Sequence, residues 1–189
     1  MQRALQAAWE VGVARDYDCG LFGTERGLQA SLYFHLRALL GPGERVFVEP
    51  RIILPERAII PDICIVGEHE VWVLELKLQN AARQGVVWES DFQKFAAFTN
   101  PSGMTLKLEG RGDFEETLLH DNMYFLFAAV GDSTCGALSL EWLREKTTAN
   151  PKLENVLQRI YWAGGITDPG LRHFEGPVSL LSRESHAPR

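Results

Sequence analysis

Cysteine is scarce in this chain of 189 residues: Cys19, Cys64 and Cys135 are odd in number, widely scattered and without Cys-x-x-Cys spacing. That pattern argues against a disulfide framework and against structural zinc. Long apolar runs are missing too, since none reaches the ~18 residues of a membrane span. The start Met1-Gln2-Arg3-Ala4 lacks the charged-then-apolar pattern of a secretory signal. A cytoplasmic protein with no membrane partner is expected. There are no internal repeats, no low-complexity segments and no glycine-rich phosphate loop, because Gly110-Arg111-Gly112 lacks a strand-to-helix context. An excess of positive charge is absent as well: 19 Lys and Arg stand against 25 Asp and Glu, giving a net charge of −6 and a pI near 5.4. A protein that grips duplex DNA through many phosphates usually carries a basic surface, and no run of basic residues marks one here.

What is present is ordinary globular composition, 46% hydrophobic and 23% charged, consistent with a single domain over residues 1–189. The most informative stretch is Val71-Trp72-Val73-Leu74-Glu75-Leu76-Lys77-Leu78. Successive strand side chains alternate, so Trp72, Leu74, Leu76 and Leu78 share one face and Val71, Val73, Glu75 and Lys77 the other. Both faces begin apolar, the pattern of a strand buried on both sides. Charges arriving at its far end therefore need partners, and a divalent cation offsets the desolvation of a buried carboxylate.

The preceding run, Ala58-Ile59-Ile60-Pro61-Asp62-Ile63-Cys64-Ile65-Val66, is joined to it by Gly67-Glu68-His69-Glu70, short enough for an antiparallel hairpin. Asp62 then lies roughly across from Glu75. Pro61 has no backbone donor and marks an interruption or bulge that could aim Asp62 at the face shared with Glu75 and Lys77. A lone Glu-x-Lys is usually a solvated ion pair. Its conjunction with a Pro-Asp on the neighbouring apolar strand points to metal-dependent chemistry. Cys64, inside that strand, reads as a small buried hydrophobe.

With Pro61-Asp62 and Glu75-Leu76-Lys77, the sequence resembles the PD-(D/E)xK nuclease superfamily, over roughly residues 20–130. The resemblance implies an α/β fold with a restriction-endonuclease-like core, helix, three strands, helix, strand, built on a central mixed sheet flanked by helices. The sequence follows that order. A helix opens at Thr24-Glu25-Arg26-Gly27, carries Leu28, Leu32, Leu36 and Leu39/Leu40 at helical spacing and stops at Gly41-Pro42-Gly43. Strands are expected over 45–53, 58–66 and 71–78, a helix over 88–99 and a strand over 122–130.

By the same resemblance, Asp62, Glu75 and Lys77 are the catalytic set. Mg²⁺, with Mn²⁺ as substitute, would be held by Asp62, Glu75 and the Leu76 backbone carbonyl. Glu25 would be a further metal ligand, although an acid in a first helical turn is favoured by the helix dipole anyway. Gln93 and Lys94 are accessory candidates, of which only one can point inward, and Arg51 is a possible phosphate contact. The scattered cysteines speak against the iron-sulfur cluster that some of these nucleases carry.

The implied partner is a nucleic acid, DNA by preference, with a homodimer or protein partner as a further possibility. The charge distribution bears on this. Residues 1–60 hold seven basic and seven acidic side chains, and residues 61–120 hold five and ten. The deficit thus surrounds the proposed metal site. Two alternatives stay open: a non-catalytic binding or structural subunit of the same fold, and an unrelated α/β interaction protein with a surface ion network. Beyond the core, a helical extension over about 138–189 is expected, with helices at 138–147 and 151–162 broken by Asn150-Pro151 and ended by Gly164-Gly165. His120 and His173 have no mates at metal-ligand spacing.

Overall fold

The computed structural model describes residues 1–54, 57–79, 88–98, 105–109, 114–118, 122–131, 153, 156, 159–166 and 173–175. A mixed sheet of six strands organises the molecule. It contains β1 (Arg45–Val48), β4 (Ile63–Val66), β5 (Val71–Gln79), β8 (Met123–Gly131), β9 (Ile160–Ile166) and β10 (His173–Glu175), in the order β1-β4-β5-β8-β9-β10. Pairing is antiparallel at β1/β4, β4/β5 and β9/β10, and parallel at β5/β8 and β8/β9. The β4–β5 hairpin is closed by Gly67 N–H donating to the Glu70 carbonyl at 3.0 Å.

The parallel step from β5 to β8 is made by a connection that carries α4 (Trp88–Ala96). On one face of the sheet, Phe92, Phe95 and Phe98 of that connection bury against Val71, Val73, Phe125, Phe127 and Trp162. On the other face, Trp72, Leu74, Leu76, Leu126 and Ala128 meet α3 (Glu25–Leu39) through Leu28, Leu32 and Leu36. The alternation along β5 thus feeds two cores, as a strand buried on both sides requires.

An N-terminal helix completes the second layer. It runs α1 (Gln2–Ala7), a π-helical segment (Ala8–Val13) and α2 (Ala14–Asp18), and buries Leu5, Ala8, Trp9 and Val13. At Gly12 the ring of His35 occupies the space of a side chain, since a Cβ built there would lie 2.3 Å from His35 Cγ. Asp16 ties the helix to α3, accepting from Ser31 Oγ at 2.8 Å and lying 2.9 Å from His35 Nε2.

Three expectations are corrected. The strands expected over 45–53 and 58–66 are each broken. Their outer halves, β2 (Ile52–Ile53) and β3 (Ala58–Ile59), form a separate two-stranded sheet. Pro61 and a positive φ of 48° at Glu49 mark the bend. The helix expected over 151–162 does not run through its end, because Ile160-Tyr161-Trp162 begin β9, and Gly164-Gly165 lie inside that strand. Gly164 is buried with its carbonyl accepting from Trp9 Nε1 at 3.2 Å. Third, α4 ends at Ala96, short of residue 99. The helix expected at 138–147 lies outside the described residues. A further pair, β6 (Thr105–Glu109) and β7 (Phe114–Leu118), is antiparallel. Among the described residues no helix is long and apolar enough to cross a membrane.

Candidate active site

The break before β4 creates the site. With Ile63 paired to Leu74, β4 starts where β5 continues, leaving the edge of β5 beyond Leu74 without its antiparallel neighbour. Asp62 stands at that opening. Three hydrogen bonds hold its backbone: its N–H donates to the Leu74 carbonyl at 3.1 Å, and its carbonyl accepts from Glu49 N at 2.9 Å and from Gln29 Nε2 at 2.8 Å. The turned backbone at Glu49 is what delivers the second of these. So held, the Asp62 carboxylate accepts the Leu76 N–H at 2.6 Å through Oδ2. In a strand, the N–H and C=O of one residue lie on the same edge. The Leu76 carbonyl therefore faces the edge occupied by Asp62.

Glu75 and Lys77 project to the α4 side of the sheet. Glu75 is fully buried, and its Oε2 lies 2.7 Å from Lys94 Nζ. Lys94 also lies 3.3 Å from Asp91 Oδ1, one helical turn earlier. Lys77 Nζ is 3.1 Å from Asp91 Oδ2 and 3.3 Å from Glu25 Oε1 at the start of α3. The Lys77–Asp91 contact is an ion pair by distance without the angles of a hydrogen bond. Charges alternate along one connected chain: Glu25, Lys77, Asp91, Lys94, Glu75.

Burial dominates the electrostatics. It pushes the Glu75 carboxyl up from 4.5 to about 8, the neighbouring Asp62 adding to the rise and Lys94 opposing it. Burial also holds Asp62 above its ordinary value, against the Leu76 N–H and the two lysines. For Lys77 and Lys94, burial lowers the pKa, but the surrounding carboxylates outweigh it and keep both ammonium groups above their ordinary value. Both lysines are therefore cations at neutral pH.

The structure brings Asp62, Glu75, Leu76 and Lys77 together, with Glu25 and Lys94 at the margins. Gln93 points elsewhere: it is exposed, and its backbone carbonyl accepts from Arg57 Nη2 at 2.6 Å. Arg51 is exposed on the bend between β1 and β2. Asp91 and Gln29 were not foreseen from the sequence, although both are buried polar residues. Their signal was spacing. Asp91 precedes Lys94 by three residues, and Gln29 follows Glu25 by four, so each shares a helical face with a recognised candidate.

The donor set suits a hard divalent cation. Asp62 and Glu75 supply carboxylate oxygens and Leu76 a carbonyl, the ligand types magnesium favours. Among the described residues, Glu75 Oε1 is buried without a hydrogen-bond partner. Such an orphaned oxygen is costly unless a cation or donor meets it. Glu25 is less suited, being 45% exposed and paired with Lys77. Among the described residues, no group of three His, Cys, Asp or Glu side chains stands ready to hold a metal. A cation here would rest on two carboxylates, one carbonyl and water. Comparisons with family models, curated proteins and solved structures returned no match.

Proposed function

We propose that this chain is a Mg²⁺-dependent nuclease of the PD-(D/E)xK kind that hydrolyses phosphodiester bonds in DNA. One observation carries the reading: Asp62 Oδ2 accepts the N–H of Leu76, the residue between Glu75 and Lys77, at 2.6 Å. The Pro-Asp and Glu-x-Lys elements, distant enough in sequence to be coincidental, thereby share one opening in the sheet. The element order α3, β1, β4, β5, α4, β8, with an antiparallel meander followed by a parallel crossover strand, is compatible with a restriction-endonuclease-like core.

Asp62, Glu75 and the Leu76 carbonyl would hold the metal, which when bound supplies charge neutralisation at phosphorus and a more acidic water. The remaining work falls to the chain. Lys77 is only 14% exposed and fully charged. It orients the attacking water by donating to it, and balances the negative charge that develops on the phosphate oxygens. Glu25 and Asp91 aim its ammonium from two sides. Gln29 and Glu49 keep Asp62 in register by holding its carbonyl.

A second reading is a non-catalytic binding subunit of the same fold, favoured by the net charge of −6 and by Lys94 already occupying Glu75. Incubation of a panel of supercoiled, linear and single-stranded DNA and RNA with Mg²⁺ or Mn²⁺, against EDTA, separates the two. Metal-dependent cleavage of any DNA in the panel supports the nuclease. Folded protein that cleaves nothing under either metal refutes it in favour of the second reading.

A further inference from the structure

We infer that Asp91 is a positioning residue that serves as a second seat for Lys94, so that Lys94 sits on Glu75 in the metal-free protein and withdraws onto Asp91 when a divalent cation binds. This rests on the nuclease reading of the same site. Lys94 Nζ lies between two carboxylates, 2.7 Å from Glu75 Oε2 and 3.3 Å from Asp91 Oδ1. Glu75 is fully buried and, among the described residues, has no other hydrogen-bond partner, its Oε1 being unsatisfied. A buried carboxylate without a counter-charge is strongly destabilising, so without a metal the Lys94 ammonium is the group that offsets part of the cost of ionising Glu75.

The same ammonium competes with a metal for Glu75. Were it to leave the pocket altogether, Asp91, 4% exposed, would lose one of its two counter-charges. Asp91 removes that conflict. It already touches Lys94, it lies one helical turn away on the same element, and Lys77 holds its other oxygen at 3.1 Å. A short rotation about the flexible lysine stem exchanges one carboxylate for the other without exposing either. Lys94 is 29% exposed, which leaves its stem room for that movement.

Two measurements test this. In crystals of the wild-type protein soaked in Mn²⁺, anomalous density should appear at Asp62 and Glu75, with Lys94 Nζ beyond hydrogen-bond reach of Glu75 and retained by Asp91. In solution, calorimetric Mn²⁺ affinity is compared for wild type, D91N, K94M and D91N/K94M. D91N should weaken binding at least about threefold more when Lys94 is present than in the K94M background, a coupling expected of groups acting as one unit. Equal weakening in both backgrounds would show that Asp91 contributes only its charge and would overturn the seat. Mn²⁺ bound with Lys94 still on Glu75, or with Lys94 released to solvent, would overturn it as well. Absence of Mn²⁺ from the wild-type site would overturn the nuclease reading itself, and the inference with it. If D91N does not fold, the wild-type crystal alone decides the question.

Discussion

Replacing Glu75 by glutamine tests whether the site is built under electrostatic stress. In the folded, metal-free protein the Glu75 carboxyl is raised from 4.5 to about 8. A carboxylate raised in this way stabilises the fold fully only below its unfolded value, and that contribution is lost as pH climbs toward the folded value. Between pH 5 and pH 8, linkage with these two values makes Glu75 lower wild-type stability by roughly 3 to 4 kcal/mol. The amide introduced by E75Q cannot ionise, and Lys94 keeps Asp91 as partner, so the variant lacks this slope. Urea unfolding in EDTA, followed by tryptophan fluorescence at both pH values, should show E75Q gaining that amount relative to wild type across the interval. Asp62, also raised by burial, contributes in the same direction but is common to both proteins. A relative change below about 1 kcal/mol would refute the account of Glu75 as a desolvated carboxylate awaiting a cation.

Other perturbations probe other parts of the structure. Lys77→Ala should stay folded but with a lowered melting temperature, because buried Asp91 then keeps only Lys94, and should reduce metal-dependent cleavage by about 10²-fold or more, as loss of a preorganised charge at the reacting phosphate does; thermal unfolding and quantitation of nicked plasmid check it. Gly12→Ala forces a Cβ into the His35 ring and should destabilise by about 1–3 kcal/mol, visible as a lowered urea midpoint. Thr24→Ala removes the cap whose Oγ1 accepts the Gly27 N–H at 3.1 Å and should cost about 1 kcal/mol. The same substitution loosens the helix start that carries Glu25, so a measured effect on cleavage larger than the stability loss explains would implicate that end of α3 in the site.

The sequence displayed the centre of this fold plainly because β5 is apolar on both faces and α3 and α4 are apolar on one; burial pattern and element type coincide there. Where they diverge, pattern alone misleads. Leu153, Val156 and Ile160 recur at helical spacing, and Val156 N–H does donate to the Leu153 carbonyl at 2.9 Å, yet Ile160 opens β9, where the β-favouring Ile160-Tyr161-Trp162 was the better guide. The glycines after it end no helix, since Gly164 sits against the Trp9 indole inside the strand. The bends at Glu49 and Pro61 lie among residues with strong strand preference, so only the proline betrayed them. The N-terminal helix went unread although Leu5, Ala8, Trp9 and Val13 form its apolar stripe. Asp91 escaped because an acid early in a helix is ordinary; its importance comes from Lys77, on a different element, and no local pattern encodes that contact.

The most direct test of the central claim is conversion of supercoiled plasmid to nicked circles by wild-type protein and by Asp62→Ala, purified side by side and assayed in Mg²⁺ and in EDTA. The account predicts nicking by the wild type in Mg²⁺ alone and none by the folded variant. Equal nicking by both proteins, or none by either, would contradict it.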